Sequence, residues 1–246
     1  MQIKVCGMRD GENIRLVSAL GVDWIGMVFS EQSPRNVTMI PTHAGIIPDR
    51  GPEDMTELDK RDSLRCRRVK RVGVFTDEMA QNIITRVVNF RLDAVQLNGQ
   101  EPPTLIRNLR ATLTTSPGGS GAIAPDIKIW KGLQVETADD LKRCADYEDC
   151  VDMFVFFVKL KKYNIKKLEN YKIRKLELDK IIPYDGKLPF LLGGAIGPDD
   201  AEAVGAFRHP RCVGIDLDEP FESAPAIKDV ERLRSFMEQL GKVRPA

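Results

Sequence analysis

The sequence has no run of 18 apolar residues and no basic, then apolar, leader before its first strand-like segment. A helix that spans a membrane needs about 20 apolar residues, so we expect neither membrane insertion nor secretion. Net charge is nearly absent as well, because 37 basic and 36 acidic residues give +1 at pH 7. The molecule as a whole therefore has no field that would attract nucleic acid or an acidic membrane.

Cysteine is scarce, and no two cysteines have the CxxC spacing. The five residues are Cys6, Cys66, Cys144, Cys150 and Cys212. An odd and scattered set argues against both a disulfide framework and a zinc site. We expect reduced thiols, no metal, and a cytoplasmic location.

Two-residue hairpin turns are also missing between the apolar segments of the chain. Several of these segments are apolar on both faces, as parallel strands covered by helices are. The sequence predicts eight strands, at residues 2–6, 23–29, 71–75, 93–97, 127–131, 152–158, 189–192 and 212–217.

Helical patterns separate most of these strands. Asp10 is a suitable N-cap for a helix that ends near Gly21, and Asp199 for one that begins at "DDAEAV". The last helix is predicted over residues 227–240, with one apolar stripe: Ile227, Val230, Leu233, Phe236 and Leu240. Eight strand–helix units in 246 residues predict an α/β fold, a single (β/α)8 TIM barrel over residues 1–246, with its active site at the C-terminal strand ends.

Three stretches interrupt this repeat as irregular insertions, at about 41–68, 114–125 and 159–182. The first is a long polar connection in which we expect a helix from about Pro52, and the second is a flexible loop. Residues 159–180 hold nine Lys or Arg and three acidic residues. We expect an exposed amphipathic helix on the barrel rim there; contact with nucleic acid or a membrane is the alternative, which the acidic residues disfavour.

Motifs at the predicted strand ends resemble those of phosphoribosylanthranilate isomerase, a family of tryptophan biosynthesis. They are "KVCGM", "GMVFSEQSPRNV", "RVGVF", "DAVQLNGQE", "PFLLGGAIGPDDAEAV" and "VGIDLDEPFESAPAIKD". They occur in the family's order along nearly the whole chain, and the resemblance fails mainly at 41–68, 114–125 and 157–182. Several ordered motifs are more specific than any one of them.

The resemblance implies a cofactor-independent Amadori rearrangement of a small phosphorylated substrate, anthranilate joined to 5-phosphoribose, by a monomer or homodimer. It makes Cys6 the general base that removes the C2′ proton. A thiol acts as a base only where neighbours stabilise its thiolate, and Lys4 faces the same side of the strand. The alternative is that Cys6 is a small buried hydrophobic residue, as many free cysteines are.

The resemblance also implies the residues that contact the substrate. Arg35 corresponds to the arginine over the anthranilate ring or its carboxylate, and Asp216 to an aspartate near the amine or ribose. Gln96 and Asn98 retain hydrogen bonding only, because Asn98 stands where the family usually has histidine. The alternatives are a surface arginine and a structural, capping aspartate.

The phosphate is expected beside the loops that follow strands seven and eight. Gly194 and Ala195 belong to the first of these loops, where Ala195 replaces the family's second glycine and its methyl group would crowd an oxyanion. In the second loop, Asp218 and Glu219 replace small hydroxyl residues. Two carboxylates that face a phosphate are unfavourable unless they turn away.

Strand six departs most from the family. Phe157 stands where the family has its general-acid aspartate, and the lysine-rich stretch replaces a glycine-rich closing loop. Asp152 begins the same strand, about 16 Å away at ~3.3 Å per residue, and "GGSG" at 118–121 belongs to the opposite rim. The sequence therefore predicts an isomerase with impaired activity. The alternatives are a catalytically degenerate barrel of the same family with only weak phosphate or anion binding, and another phosphate-binding barrel enzyme, which would not need both Cys6 and "SPR".

Overall fold

The computed structural model describes residues 1–42, 45–48, 69–115, 121–158, 160–163 and 173–243. Its centre is a closed barrel of eight parallel strands, each paired with its two neighbours in chain order. The strands are β1 Gln2–Val5, β2 Trp24–Phe29, β3 Lys70–Phe75, β4 Ala94–Leu97, β5 Lys128–Val135, β6 Met153–Val158, β7 Phe190–Gly194 and β8 Cys212–Leu217. All eight predicted strands and the barrel are confirmed.

Helices cover the outside of the barrel: α1 Gly11–Ser18, α2 Ala80–Phe90, α3 Pro103–Thr114, α4 Ala201–Ala206 and α5 Val230–Val243. A 3-10 helix, Ala138–Asp146, follows β5. The predicted cap of α1 is present, since the Asp10 carboxylate accepts a hydrogen bond of 2.9 Å from the Asn13 amide. Such a cap satisfies an amide that the first helical turn leaves without an intrahelical partner.

The closing pair of the barrel joins the two ends of the chain. β1 pairs with β8 in the register Lys4 to Asp216 and Val5 to Leu217. Residues directly opposite each other in paired strands point to the same face of the sheet. Lys4 and Asp216 therefore both lie on the face towards the barrel interior. Lower in the barrel, Trp24 and Trp130 pack edge to face with ring centroids 4.7 Å apart, so large apolar side chains fill the N-terminal part of the interior.

Part of the lysine-rich stretch is a β-ribbon, so the prediction of a helix there is wrong. Leu160–Tyr163 pairs antiparallel with Ile173–Leu176. Apolar residues three apart, with basic residues between them, suit a short strand as well as one helical turn. The register places the apolar ends opposite each other, Leu160 with Leu176, and backbone pairing between the two segments then decides the outcome. Ile181, at the end of the predicted insertion, is fully buried in the core.

Three smaller expectations need correction or fall outside the described residues. Ile227 lies in a two-strand pair with Glu222–Ala224, and the last helix begins only at Val230. The carboxylate of Asp200, not Asp199, accepts the Gly197 amide at the start of the helical turn before α4. Residues 39–42 and 45–48 pair as two antiparallel strands. The helix predicted from about Pro52 lies outside the described residues.

Within the described ranges, no helix has the length and apolar character needed to cross a membrane.

Candidate active site

The C-terminal ends of the barrel strands hold the predicted site residues on one rim. Cys6 directly follows β1, and its amide donates a hydrogen bond of 2.8 Å to the Leu217 carbonyl at the end of β8. Gln96 lies in β4, Phe157 in β6, and Gly194 ends β7. Parallel strands in one closed barrel direct all these ends to the same side.

Lys4 and Asp216 form a buried ion pair below the rim. Lys4 Nζ lies 2.8 Å from Asp216 Oδ2, and the two side chains are 0% and 3% exposed. Burial lowers the pKa of Lys4, but the Asp216 carboxylate and Cys6 more than offset this, so that pKa lies above its usual value. Burial raises the pKa of Asp216, and Lys4 opposes the rise only in part. Lys4 is therefore a permanent cation at this site.

Cys6 lies beside this pair. A Cβ atom placed on Gly26 would fall 2.8 Å from Cys6 Sγ and 3.2 Å from Lys4 Cε, so both side chains pack against the same glycine. Burial raises the pKa of Cys6 to about 12, while Lys4 acts to lower it and Asp216 to raise it. The thiol is consequently neutral at pH 7, because the Lys4 ammonium group offsets only part of the effect of burial.

Arg35 is held by a carboxylate that the sequence analysis did not assign. Arg35 Nε and Nη2 donate hydrogen bonds of 2.8 and 2.7 Å to the two carboxylate oxygens of Glu222. The hydrogen bonds to Glu222 raise the pKa of Arg35 above its usual value. A two-bond pair of this kind fixes the plane of the guanidinium group and leaves its faces available for stacking.

Lys228 brings the loop after β8 into the same network. Its Nζ donates to Glu222 Oε1 at 2.7 Å and to Asp218 Oδ1 at 3.1 Å. The Asp218 charge is therefore partly balanced by a buried cation, whereas the Glu219 side chain is 80% exposed and lies 3.8 Å from Arg35. Of the two carboxylates that were expected to oppose a phosphate, one is paired and the other faces solvent.

Gly7, in the loop after β1, and Asn13, in α1, both contact residues of this network. The side chain of Asn13 donates to the Lys228 carbonyl and accepts from the Lys228 amide, both at 2.8 Å. Gly7 has a φ of +73°, and a Cβ atom there would fall 2.7 Å from both Arg35 Cδ and Asp218 Oδ1. Glu222 and Lys228 belong to the motif "VGIDLDEPFESAPAIKD", but the sequence pattern does not show that both side chains are buried, as the structure does.

Phe157 lies across the mouth between Asn98 and Asp216. A Cβ atom on Gly132 would fall 2.8 Å from Phe157 Cε2 and would also run into Asn98 Oδ1. A Cβ atom on Gly193 would fall 3.2 Å from both Phe157 Cδ1 and Asp216 Cβ. The phenyl ring thus occupies the space between two polar side chains. It has no acidic proton to donate to a substrate.

Two buried oxygen atoms at the mouth have no hydrogen-bond partner among the described residues, Gln96 Oε1 and Asp216 Oδ1. The Gln96 amide nitrogen donates to Asn98 Oδ1 at 3.0 Å, which joins the two predicted β4 residues. Buried polar atoms are usually paired in native proteins, so these two oxygen atoms are candidates for hydrogen bonds to a substrate.

The loop after β7 satisfies part of its own backbone. Gly194 has a φ of +97°, where any side chain would collide with Val158. The Ala195 amide donates to the Val158 carbonyl at 3.2 Å, and the Gly197 amide donates to the Asp200 carboxylate at 2.6 Å. These two amides already have acceptors within the protein.

A second buried ion pair supports the β4 side of the mouth. Lys131 Nζ donates to Glu101 Oε2 at 2.8 Å and to the Gly99 carbonyl at 2.6 Å, and both side chains are buried. Glu101 also accepts from the Asp77 amide at 3.0 Å. The pair fixes the loop that carries Asn98. Across the described ranges, no group of three or more His, Cys, Asp or Glu side chains is arranged to hold a metal ion.

Comparison with known proteins gives one consistent family. The family model described as N-(5'phosphoribosyl)anthranilate (PRA) isomerase matches residues 3–239. A protein of Phocaeicola vulgatus named N-(5'-phosphoribosyl)anthranilate isomerase is 34% identical over 240 residues, which cover 98% of each chain. One of the same name from Parabacteroides distasonis is 32% identical over 240 residues, 98% of this chain and 93% of the relative.

Solved structures agree on the fold. The phosphoribosyl anthranilate isomerase of Thermus thermophilus superposes with a TM-score of 0.70 at 24% identity, over 99% of this chain and 100% of the other. A structure of the isomerase with reduced 1-(o-carboxyphenylamino)-1-deoxyribulose 5-phosphate gives 0.68 at 23% identity, over 98% and 99%. At this identity, the likeness supports the barrel and its topology.

Proposed function

Because this chain belongs to the N-(5'-phosphoribosyl)anthranilate isomerase family, we propose that it rearranges N-(5'-phosphoribosyl)anthranilate with Cys6 as the general base. The reaction opens the ribose ring to an iminium ion and removes the C2′ proton, which gives an enolamine and then the ketone, 1-(2-carboxyphenylamino)-1-deoxyribulose 5-phosphate. No cofactor is required for these proton transfers.

The observation that carries this proposal is the position of Cys6 beside Lys4 at the C-terminal rim. A general base needs an accessible anionic form, and the nearby ammonium group favours a thiolate over a neutral thiol. Without Lys4, a buried thiolate would have no compensating charge on its own strand. Burial keeps the resting thiol neutral, so Cys6 would ionise only in the course of the reaction.

The substrate would bind among Arg35, Gln96, Asn98, Gly194, Ala195 and Asp216. The guanidinium plane of Arg35, fixed by Glu222, suits stacking on the anthranilate ring. The unpaired Gln96 Oε1 suits a ribose hydroxyl group. The phosphate would lie near Gly194 and Ala195. In the loop after β8, Lys228 screens the charge of Asp218.

We also propose slow turnover, because Phe157 has no proton to donate to the ring oxygen. Loss of a general acid lowers a rate by about 10²- to 10⁴-fold. A catalytically degenerate barrel with weak anion binding is the second candidate, and the two loop amides that already bond within the protein favour it. The remaining expectations stand as proposals: a single barrel domain with insertions, a cytoplasmic monomer or homodimer, and no membrane or nucleic-acid partner.

The test is the loss of anthranilate fluorescence when purified protein meets the substrate. The wild type should show slow turnover, and Cys6→Ala should abolish it. Cys212→Ala is the matched control, because Cys212 starts β8 at the opposite end of the barrel and its loss should leave the rate unchanged. Turnover that persists in Cys6→Ala would assign the base to another residue, and none in the wild type would favour the degenerate barrel.

A further inference from the structure

Three buried titratable groups lie together at the mouth: one cation, Lys4, and two acids, Cys6 and Asp216. Each charge buried without a partner costs several kcal/mol. One ammonium group can neutralise one anion, so a thiolate on Cys6 and a carboxylate on Asp216 would leave one negative charge uncompensated. The trio therefore favours a single anion, on either Cys6 or Asp216, with a proton on the other.

Asp216 is placed to use that proton. Its Oδ2 atom pairs with Lys4 at 2.8 Å, but its Oδ1 atom is buried and has no hydrogen-bond partner among the described residues. Asp216 Cβ and the Phe157 ring both lie 3.2 Å from the position of a Cβ atom on Gly193. The carboxyl group is thus next to the side chain that occupies the position of the missing acid.

We propose that Asp216 is the general acid of this chain and that it shares one proton with Cys6 across the Lys4 ammonium group. The proposal rests on the proposed function. In the resting protein Cys6 is a thiol and Asp216 a carboxylate. In the reactive form the proton has moved from Cys6 to Asp216, while Lys4 keeps its charge and pairs with whichever group is the anion.

The proton count closes over one turnover. Asp216 donates its proton to the ribose ring oxygen as the C1′–O bond breaks, and the nitrogen lone pair forms the C=N bond of the iminium ion. The Cys6 thiolate then takes the C2′ proton. The C–H electron pair becomes the C1′=C2′ double bond, and the nitrogen regains its lone pair. The enolamine leaves behind a thiol and a carboxylate, which is the resting state.

The charged and titratable neighbours of the trio are consistent with this sharing. Burial raises the pKa of Cys6 and of Asp216, and Asp218 acts in the same direction on both, whereas Lys4 and Lys228 oppose it. A carboxylate with a raised pKa is a better acceptor for the Cys6 proton. Moving the proton within the trio also avoids creating a second buried anion.

The first test measures the ionisation of Cys6 without any substrate. The alkylation rate of Cys6 by iodoacetamide, resolved on its peptide by mass spectrometry, is followed against pH. In Asp216→Asn the thiolate is the sole anion left to pair with Lys4 within the trio, so the midpoint should fall by more than one pH unit from about 12. Asp218→Asn is the matched control and should shift it less. Equal shifts in the two variants would overturn the shared proton.

The second test measures turnover in the same variants. Asp216→Asn should lower the rate at least tenfold although its Cys6 ionises more readily, because the amide has no acidic proton. If Asp216 affected the rate only through the pKa of Cys6, Asp216→Asn would raise the rate instead. Asp216→Glu keeps a carboxyl group and should retain more turnover than Asp216→Asn, which keeps the test valid if the amide variant unfolds.

The two proposals fail in different ways. If wild type and Phe157→Asp both lack turnover, the proposed function is wrong, and so is the role of Asp216 as general acid. If both turn over and Asp216→Asn matches the wild type, the acid role alone is wrong. In the Phe157→Asp background the loss caused by Asp216→Asn should shrink, because the new carboxyl group supplies the proton.

Discussion

Arg35 and Glu222 share two hydrogen bonds, of 2.8 and 2.7 Å, at the barrel mouth, although 187 positions separate them in the chain. Lys228 donates to the same carboxylate at 2.7 Å. One buried anion therefore holds two cations, and the orientation of Arg35 depends on the loop after β8. Removal of that anion should affect both stability and substrate binding.

Glu222→Gln should lower the free energy of unfolding by about 3 kcal/mol, because it leaves Arg35 and Lys228 with one carboxylate charge too few in a mostly buried setting. Urea denaturation measures the change. Glu219→Gln is the matched control: that side chain is 80% exposed, and its loss should change stability by less than about 0.5 kcal/mol. Similar losses in the two variants would show that Glu222 does not hold the network together.

Phe157→Asp should raise turnover, since it places a proton donor at the end of β6 beside Asp216. The gain should stay below the ~10²- to 10⁴-fold of an optimised acid, because no glycine-rich loop excludes water from the site. The asparagine in Phe157→Asn has nearly the shape of the aspartate but no acidic proton, so this variant should not raise turnover. Steady-state kinetics measure the rates of the two variants. Equal rates would mean that the gain comes from removal of the phenyl ring and not from proton donation.

Alkaline pH should destabilise the protein partly through Cys6. The folded thiol has a pKa of about 12, above its usual value of 9.0, so above pH 9 the unfolded chain loses a proton that the folded chain keeps. Stability should then fall with rising pH by up to about 1.4 kcal/mol per pH unit for this group. Cys6→Ala should remove that share of the slope between pH 9 and 12, as thermal unfolding at several pH values would reveal. An unchanged slope would mean that Cys6 ionises normally in the folded protein.

Replacement of residues 160–176 by a short turn should leave the melting temperature nearly unchanged, because the described parts of this segment, 160–163 and 173–176, pair with each other outside the barrel sheet. A longer deletion, through residue 182, removes Ile181, which is fully buried. Loss of such a side chain costs about 2–5 kcal/mol, so the longer deletion should lower the melting temperature by several degrees. Calorimetry on both variants decides where the insertion ends, and equal melting temperatures would contradict this boundary.

Local patterns in the sequence were sufficient for the barrel. Each strand is a short apolar run that both a core and a covering helix can bury, and this property is visible from neighbouring residues alone. The Asp10 cap is equally local, because donor and acceptor are three positions apart. The resemblance to the family then located Cys6, Arg35 and Asp216 on one rim.

The lysine-rich stretch shows where local patterns fail. Its apolar spacing fits a helical turn and a short strand equally well, and the pairing of residues 160–163 with 173–176 decided between them. Strand pairing depends on a partner ten or more positions away, which periodicity in one segment cannot supply.

The chemistry of the site was decided by tertiary structure. The sequence determined which groups are present: an amine on β1, a thiol directly after it, a carboxylate on β8, and a phenylalanine on β6. The closure of the barrel, through the pairing of β1 with β8, placed Lys4 2.8 Å from Asp216 and buried both beside Cys6. Charge balance in a buried trio depends on distances between residues that lie more than 200 positions apart. That is why only the folded chain determines which of these acids holds the proton.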